Sequence, residues 1–293
     1  MSDNVERFVG FICARHRAFL RRAAGKPRPW SSDPILQRCK FCNAYRELDR
    51  VTRWIAENWR EPHKDDRHLW FALVIARRCI NWPATLSKIG YPVPWEPGHF
   101  LAVLERRKKK GKQVFNSDAY KLIVSGQRGD LAELQVRLLL DPLWEGRDRF
   151  SPRRDDTLAT FHSRLAGVKF MGNFHAAQVV ADLKYVGRLR HAEDWWSFAA
   201  SGPGSQRGLN RVLGRPAKAP WAEDEWVEQL HRLQKSFAPA LTEAGLPRMH
   251  AQDLQNCLCE YDKYERVRLG EGNGRKFVPN PKPLPSAKGE GSQ

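Results

Sequence analysis

Four stretches of this 293-residue chain bring together side chains that could do chemistry. In the first, Asn43, Arg46, Asp49, Arg50 and Arg53 lie close along the chain. On a helix the three arginines fall at i, i+4 and i+7, a stripe able to clamp a phosphate or a carboxylate bidentately, with Asn43 and Asp49 on neighbouring faces. The plainer alternative is a solvated face on which Glu47 and Asp49 supply intrahelical pairs. In the second stretch, Asp182 sits among Val179, Val180, Ala181 and Leu183. A carboxylate in apolar surroundings becomes more basic and suits a general base, whereas one facing an arginine is a structural ion pair. The third is the turn Gly202-Pro203-Gly204-Ser205-Gln206-Arg207-Gly208. Its glycines allow backbone N–H groups to approach a phosphate, Ser205 can cap the following helix, and Arg207 stands where an anion would sit. The fourth, from Cys257 to Arg266, packs Glu260, Asp262 and Lys263 among tyrosines, a denser mixture than a surface helix needs.

Charge points these groups toward a polyanion. Lys and Arg number 50 against 33 Asp and Glu, a formal +17, and nucleic acid is the expected partner. The run Arg106 to Lys112, with Lys108, Lys109 and Lys110 at its centre, reads either as a solvated helix end or as a contact to a DNA or RNA backbone. Gly167 and Gly172 bracket a short turn between helices, similar to the helix-hairpin-helix turn whose N–H groups hold one DNA phosphate, though more widely spaced. The six cysteines do not make a disulfide framework. Cys39, Cys42, Cys257 and Cys259 could in principle form a zinc site, but buried reduced thiols explain them better, and no metal site is expected. No Gly-x-x-x-x-Gly-Lys-Ser/Thr phosphate loop is present, no apolar run approaches a membrane span, and the polar N-terminus is unlike a secretory signal. The expectation is a cytoplasmic protein with no membrane association.

The elements that must position these residues read as helices. Residues 4–23 form an amphipathic helix with Phe8, Phe11, Ile12 and Phe19 on one side and arginines on the other. Asp33 as N-cap and Pro34 as first residue open a long second helix whose apolar periodicity runs on to Trp59. The segment Leu69 to Ile75 is apolar all round and belongs in a core. Further helices are expected at about 97–110, 129–145, 155–166, 172–186, 191–200, 205–213, 222–243 and 250–268, with one small hairpin between Gln113 and Val124. The fold class is therefore all-α: a single domain over 1–269, with two helical lobes near 1–150 and 151–269 as an option, and a flexible basic tail over 270–293.

Four motifs in order carry a resemblance. Arg38-Cys-Lys-Phe-Cys-Asn43-Ala-Tyr-Arg46-Glu-Leu-Asp49-Arg50-Val-Thr-Arg-Trp-Ile, Gln178-Val-Val-Ala-Asp182-Leu, Gly202-Pro-Gly-Ser-Gln-Arg-Gly and Cys259-Glu-Tyr-Asp262-Lys-Tyr-Glu-Arg span most of residues 5–270. Together they resemble the helical domain of bacteriophage thymidine hypermodification enzymes. That domain is found fused to 5-hydroxymethyl-deoxyuridine DNA kinases and as the separate α-glutamyl/putrescinyl-thymine pyrophosphorylases, or amino acid:DNA transferases. The resemblance implies a DNA-glycosylase-like helical fold acting on a flipped base in double-stranded DNA carrying modified thymine. It implies replacement of the pyrophosphate of 5-pyrophosphoryloxymethyl-deoxyuridine by the amine of an amino acid or polyamine. Arg46, Arg50, Arg207 and Lys263, with Glu260 beside them, would then handle anions. Asp182 or Asp262 would be the base, and Asn43 and Asp49 would orient the reacting groups. Magnesium could bridge leaving group and carboxylate, although no clustered acidic motif demands it. Gly167, Gly172, Gly202, Gly204, Ser205, Arg207, Gly208 and Lys108 to Lys110 would meet the DNA. Two other readings stay open: a glycosylase or lyase on the same scaffold, and a non-catalytic DNA-binding partner of a kinase.

Overall fold

The computed structural model describes residues 3–116 and 128–278. In chain order its α-helices are α1 Asp3–Ala23, α2 Pro34–Arg38, α3 Arg50–Ile55, α4 Leu69–Val74, α5 Pro83–Ile89, α6 Pro97–Lys109, α7 Leu131–Gln135, α8 Asp141–Glu145, α9 Arg147–Phe150, α10 Leu158–Ala166, α11 Gly172–Leu183, α12 Pro203–Val212, α13 Glu223–Glu243 and α14 Ala251–Arg268. Among the described residues there is no strand, only an isolated antiparallel bridge between Cys39 and Lys276, so the all-α expectation holds. Most of the expected hairpin lies outside the described residues; Gln113 to Asn116 are not extended strand.

The chain forms two compact units. One takes the chain up to Asp49 together with the stretch from Trp196, and the other runs Arg50–Trp195. The division therefore does not fall near residue 150: the first 49 residues pack with the C-terminal helices. In that unit the apolar stripe of α1 (Phe8, Phe11, Ile12) meets Leu209 and Val212 of α12, Trp226, Leu230 and Phe237 of α13, and Leu254, Leu258 and Tyr261 of α14. Phe8 and Phe11 lie 5.0 and 5.4 Å from the Tyr261 ring, close enough for aromatic contact beyond simple area burial.

The second helix begins as its capping signal requires. Asp33 accepts from the N–H groups of Ile35 (2.7 Å) and Leu36 (3.0 Å), with Pro34 in the first turn. It ends after one turn, at Arg38, and not at Trp59. Residues 38–40 pair with residues 275–277, through Lys40 N–H to Arg275 C=O (2.7 Å) and Phe277 N–H to Arg38 C=O (2.8 Å). That long-range pairing competes with helical hydrogen bonding and holds Cys39 extended. It also ties down residues 275–277, so part of the expected tail is bound; the tail beyond Val278 lies outside the described residues. Gly274 is required here, since a Cβ would stand 2.5 Å from Cys39 Sγ.

In the Arg50–Trp195 unit, α4 is fully buried as its all-round apolarity predicts. Both α3 and α4 continue as wider π-helical turns, over Ala56–Arg60 and Ile75–Ile80. The second of these carries Arg77 and Arg78 into the interior, and α10 and α11 pack against one another behind it. The helix expected at 191–200 is absent. A 3₁₀ turn at Gly187–His191 leads into a locked loop in which Trp195 Nε1–H donates to Lys184 C=O (2.8 Å) and Lys184 Nζ donates to Trp195 C=O (2.9 Å).

Candidate functional site

One face of α14 is strapped to the loop that follows α2. Residues 253, 256, 257 and 260 share a helix face by their spacing, and each reaches the loop backbone. Asp253 Oδ1 accepts from Arg46 N–H (2.9 Å), Asn256 Nδ2 donates to Asn43 C=O (3.4 Å), Cys257 Sγ donates to Ala44 C=O (3.4 Å), and Glu260 Oε2 accepts from Cys42 N–H (3.3 Å). Asn43 is the hub. Its N–H donates to Asp49 Oδ1 (2.9 Å), its Nδ2 to Leu48 C=O (2.8 Å), its carbonyl accepts from Arg15 Nη2 (2.7 Å), and its Oδ1 accepts from Arg22 Nη2 (3.4 Å). Asn43 thus positions other groups and keeps little capacity for a substrate.

The electrostatics of this region are perturbed. Burial raises the Asp49 carboxyl, and the Asn43 N–H and nearby Arg46 only partly offset it. The Glu260 carboxylate raises the thiol of Cys42 well above its ordinary value, with desolvation and Asp49 adding to the effect. Burial works against the charge of Lys263, yet Glu260, 2.5 Å from its Nζ, and Cys42 together hold that ammonium above its usual pKa.

Beside the hub lies a cavity of about 70 Å³ lined by Arg15, Arg22, Arg28, Trp30, Asn43 and Phe277, among others. Arg15 is only 5% exposed, and its Nε and Nη1 have no hydrogen-bond partner among the described residues. The sequence pattern sets arginines of α1 opposite its apolar side and does not single out Arg15. Its spacing from Phe8, Ile12 and Phe19 puts it on the buried stripe, and that was the signal that could have found it.

The opposite side of α14 crosses α12. A Cβ on Gly208 would fall on the Leu258 carbonyl, 2.6 Å from its carbon, and one on Gly204 would meet Cys259 Sγ at 2.5 Å. Both glycines therefore serve a close helix crossing and not a phosphate cradle. Gly202 is the extended N-cap of α12, and the hydroxyl of buried Ser205 turns back to accept from the Gly202 N–H (3.0 Å). One helical turn apart on α12, Arg207 and Arg211 both grip Asp262, at 2.9 and 3.0 Å, and Arg266 stands 3.5 Å away. Asp262 has no exposed surface. It organises three guanidinium groups. The four thiols do not converge either: among the described residues no group of three or more His, Cys, Asp or Glu is arranged to hold a metal ion.

A scan of the whole sequence against known families matches residues 2–274 to the helical domain of 5-hmdU DNA kinase. The chain belongs to this family. Similarity extends to the 5-hmdU DNA kinase of Bacillus phage SP10, 24% identical over 288 residues, which covers 88% of this chain and 44% of the phage protein. The chain thus spans less than half the length of that curated relative. No solved structure matches it.

Apart from Arg46 and Asp49, the remaining sequence candidates of this helical domain lie in the Arg50–Trp195 unit. The arginine stripe does not form, because Arg46 sits in a 3₁₀ turn, Asp49 is extended, and Arg50 starts a new helix. Asp182 is sealed at 1% exposure in a bidentate pair with Arg77 (2.5 and 2.8 Å), so the structural ion pair is what its surroundings build. Between α10 and α11, Gly167 is ordinary helical backbone, while Gly172 has φ +66°, a conformation that favours glycine. The buried Arg78 donates to Phe170 C=O in that turn (2.7 Å). Of the lysine run, Lys108 pairs with Asp130 and Lys109 with Glu105 (2.8 Å), both near the surface. A polar cleft of about 450 Å³, lined by Glu61, Lys64, Asp65, Tyr185, Arg190 and His191, presents charges of both signs. Among the described residues no helix is long and apolar enough to cross a membrane.

Proposed function

We propose that this chain is a DNA base-modifying transferase of thymidine hypermodification. It would replace the pyrophosphate of 5-pyrophosphoryloxymethyl-deoxyuridine in DNA with the amine of an amino acid or polyamine. The observation that carries the reading is the concentration of ionisable groups around residues 42–49 (Asp49, Glu260, Lys263 and Arg15) inside a domain of this family. A fold gains little from burying such groups, whereas a site for charged reactants requires them. In the reaction the amine nitrogen forms a bond to the exocyclic methylene carbon as the bond from that carbon to the pyrophosphate oxygen breaks. Pyrophosphate leaves with the electron pair of the broken bond, and the co-substrate's ammonium must first give up a proton so that the neutral amine's lone pair can form the new one. Asp49, its pKa raised by burial, is the carboxylate best matched to take that proton. Lys263 and Arg207, both partly exposed, serve the anionic substrate, and Lys108 to Lys110 serve the DNA backbone.

The phage relative favours a second reading, in which the domain binds DNA on behalf of a kinase, because that protein is named a 5-hmdU DNA kinase and is more than twice the length matched here. Mass spectrometry of nucleosides from pyrophosphorylated DNA, incubated with the protein and a mixture of amines, separates the two. A new thymidine adduct with release of pyrophosphate supports the transferase; unchanged DNA, bound with steep salt dependence, supports the second reading.

A further inference from the structure

We propose that the cavity beneath Arg22 and Arg28 is a binding pocket for an anion of the phosphate class, with Arg15 as its floor. Its assignment to the leaving pyrophosphate rests on the transferase reading; its existence as an anion site does not. The first observation is the state of Arg15. Its guanidinium is buried, two of its three nitrogens lack a partner, and no carboxylate among the described residues comes within ion-pair distance. Its contacts are the Asn43 carbonyl, the Cys257 sulfur at 3.8 Å and the face of Phe11 at 4.9 Å, none of which neutralises a charge. Asp49 feels the charge of Arg15 without pairing with it, so the buried guanidinium has no counter-ion in contact; that is unfavourable, and a bound anion relieves it.

The second observation is what surrounds it. Arg22 and Arg28 line the same cavity, and neither has a carboxylate partner among the described residues. Trp30 lies under both guanidinium groups, at 6.0 and 5.6 Å, and Phe277 lies 5.6 Å from Arg28, so aromatic faces hold the two arginines at the cavity wall. No Asp or Glu lines the cavity.

This last fact selects the ligand. A zwitterionic amino acid or a polyamine needs an acceptor for its ammonium, and the lining supplies three cations and no carboxylate. A multiply charged oxyanion is matched by three forks of N–H donors. The volume of about 70 Å³ suits a phosphate or pyrophosphate group and is too small for a nucleoside. Inorganic pyrophosphate as a free product and the pyrophosphoryl group still joined to DNA present the same chemistry.

Isothermal titration of the full chain with inorganic pyrophosphate tests this. Binding is expected in the wild type, weakened at least about tenfold in Arg28→Ala and in Arg22→Ala and lost in Arg15→Gln, while glycine and putrescine do not compete. Because Arg15→Gln alters a buried position, the two surface variants, checked for wild-type melting, carry the test independently. No binding by the wild type, or binding unchanged in all three variants, overturns the proposal. So does binding lost in Arg207→Ala with the pocket variants unaffected. If pyrophosphate binds through these arginines but modified DNA is never converted, the pocket stands and the transferase reading fails. If conversion occurs without pyrophosphate binding here, the pocket fails alone.

Discussion

Replacing Gly208 by alanine should separate the two roles offered for the Gly202 to Gly208 segment. The new methyl would stand 2.6 Å from the Leu258 carbonyl carbon, where non-bonded carbons require about 3.5 Å, so α12 must retreat from α14 by roughly 1 Å. The obstacle is helix backbone and cannot rotate away. The cost should therefore reach the upper end of the usual overpacking range, about 3 kcal/mol. At about 2–4 °C per kcal/mol for a domain of this size, melting followed by circular dichroism should fall by roughly 6–12 °C. Retreat also draws Arg207 and Arg211 from Asp262, which they hold at 2.9 and 3.0 Å, so the loss extends to that cluster. Two controls grade the effect. Gly204→Ala meets only the end of the Cys259 side chain and should cost less, and Gly202→Ala meets nothing within 4 Å and should cost under about 1 kcal/mol, as a weaker N-cap does. A Gly208→Ala protein that melts within 1 °C of wild type but binds DNA poorly would refute the packing argument and restore the phosphate cradle.

Other expectations are as direct. Asp262→Asn leaves Arg207, Arg211 and Arg266 without their shared counter-charge and should destabilise by about 3–5 kcal/mol, measured by urea unfolding; a loss below 1 kcal/mol would remove Asp262 as the organiser. Burial raises Asp49, so the folded chain holds that proton at a pH where the unfolded chain has released it. Stability should therefore fall as pH climbs from the ordinary value of 3.8 through the higher native value, and Asp49→Asn, which still accepts from Asn43 N–H, should flatten that decline in pH-dependent melts. Glu260→Gln keeps an acceptor for Cys42 N–H while removing the charge that suppresses the thiolate, and should accelerate alkylation of exposed Cys42 several-fold at pH 8; an unchanged rate would separate the two side chains. Replacing Lys108, Lys109 and Lys110 with alanine should lower the slope of log affinity for duplex DNA against log salt by roughly 2–3 if the run meets phosphates, and leave it unaltered if the lysines are only a solvated helix end.

Much of this architecture is legible in the sequence, and the illegible part has a common cause. Helices α4, α13 and α14 follow from periodicity because their neighbours reward the same faces that their patterns declare. The helix begun at Asp33 does not, since residues 38–40 prefer partners at 275–277 that no local window contains. The arginine stripe failed with it. The glycines of the 202–208 segment were recognisable as special, but a glycine at a turn and a glycine at a crossing look alike until the facing backbone, here Leu258, is known. Asp182 was readable as buried, and only the fold supplies Arg77. Arg15 is a residue the sequence does not single out, although its spacing from Phe8 and Ile12 marks it as interior, and it lines the cavity.

The layout of the chain also bears on biosynthesis. Arg15 is synthesised long before Phe277, yet both line one cavity. Residues 50–195 are contiguous and can complete their own core while the rest is still being made. The earlier 49 residues must wait with the stripe of α1 unpaired until α12, α13 and α14 arrive. During that interval the apolar stripe of α1 is open to aggregation and proteolysis. Translation stalled before residue 250 would accordingly yield a fragment whose middle segment resists protease while its N-terminal segment is digested.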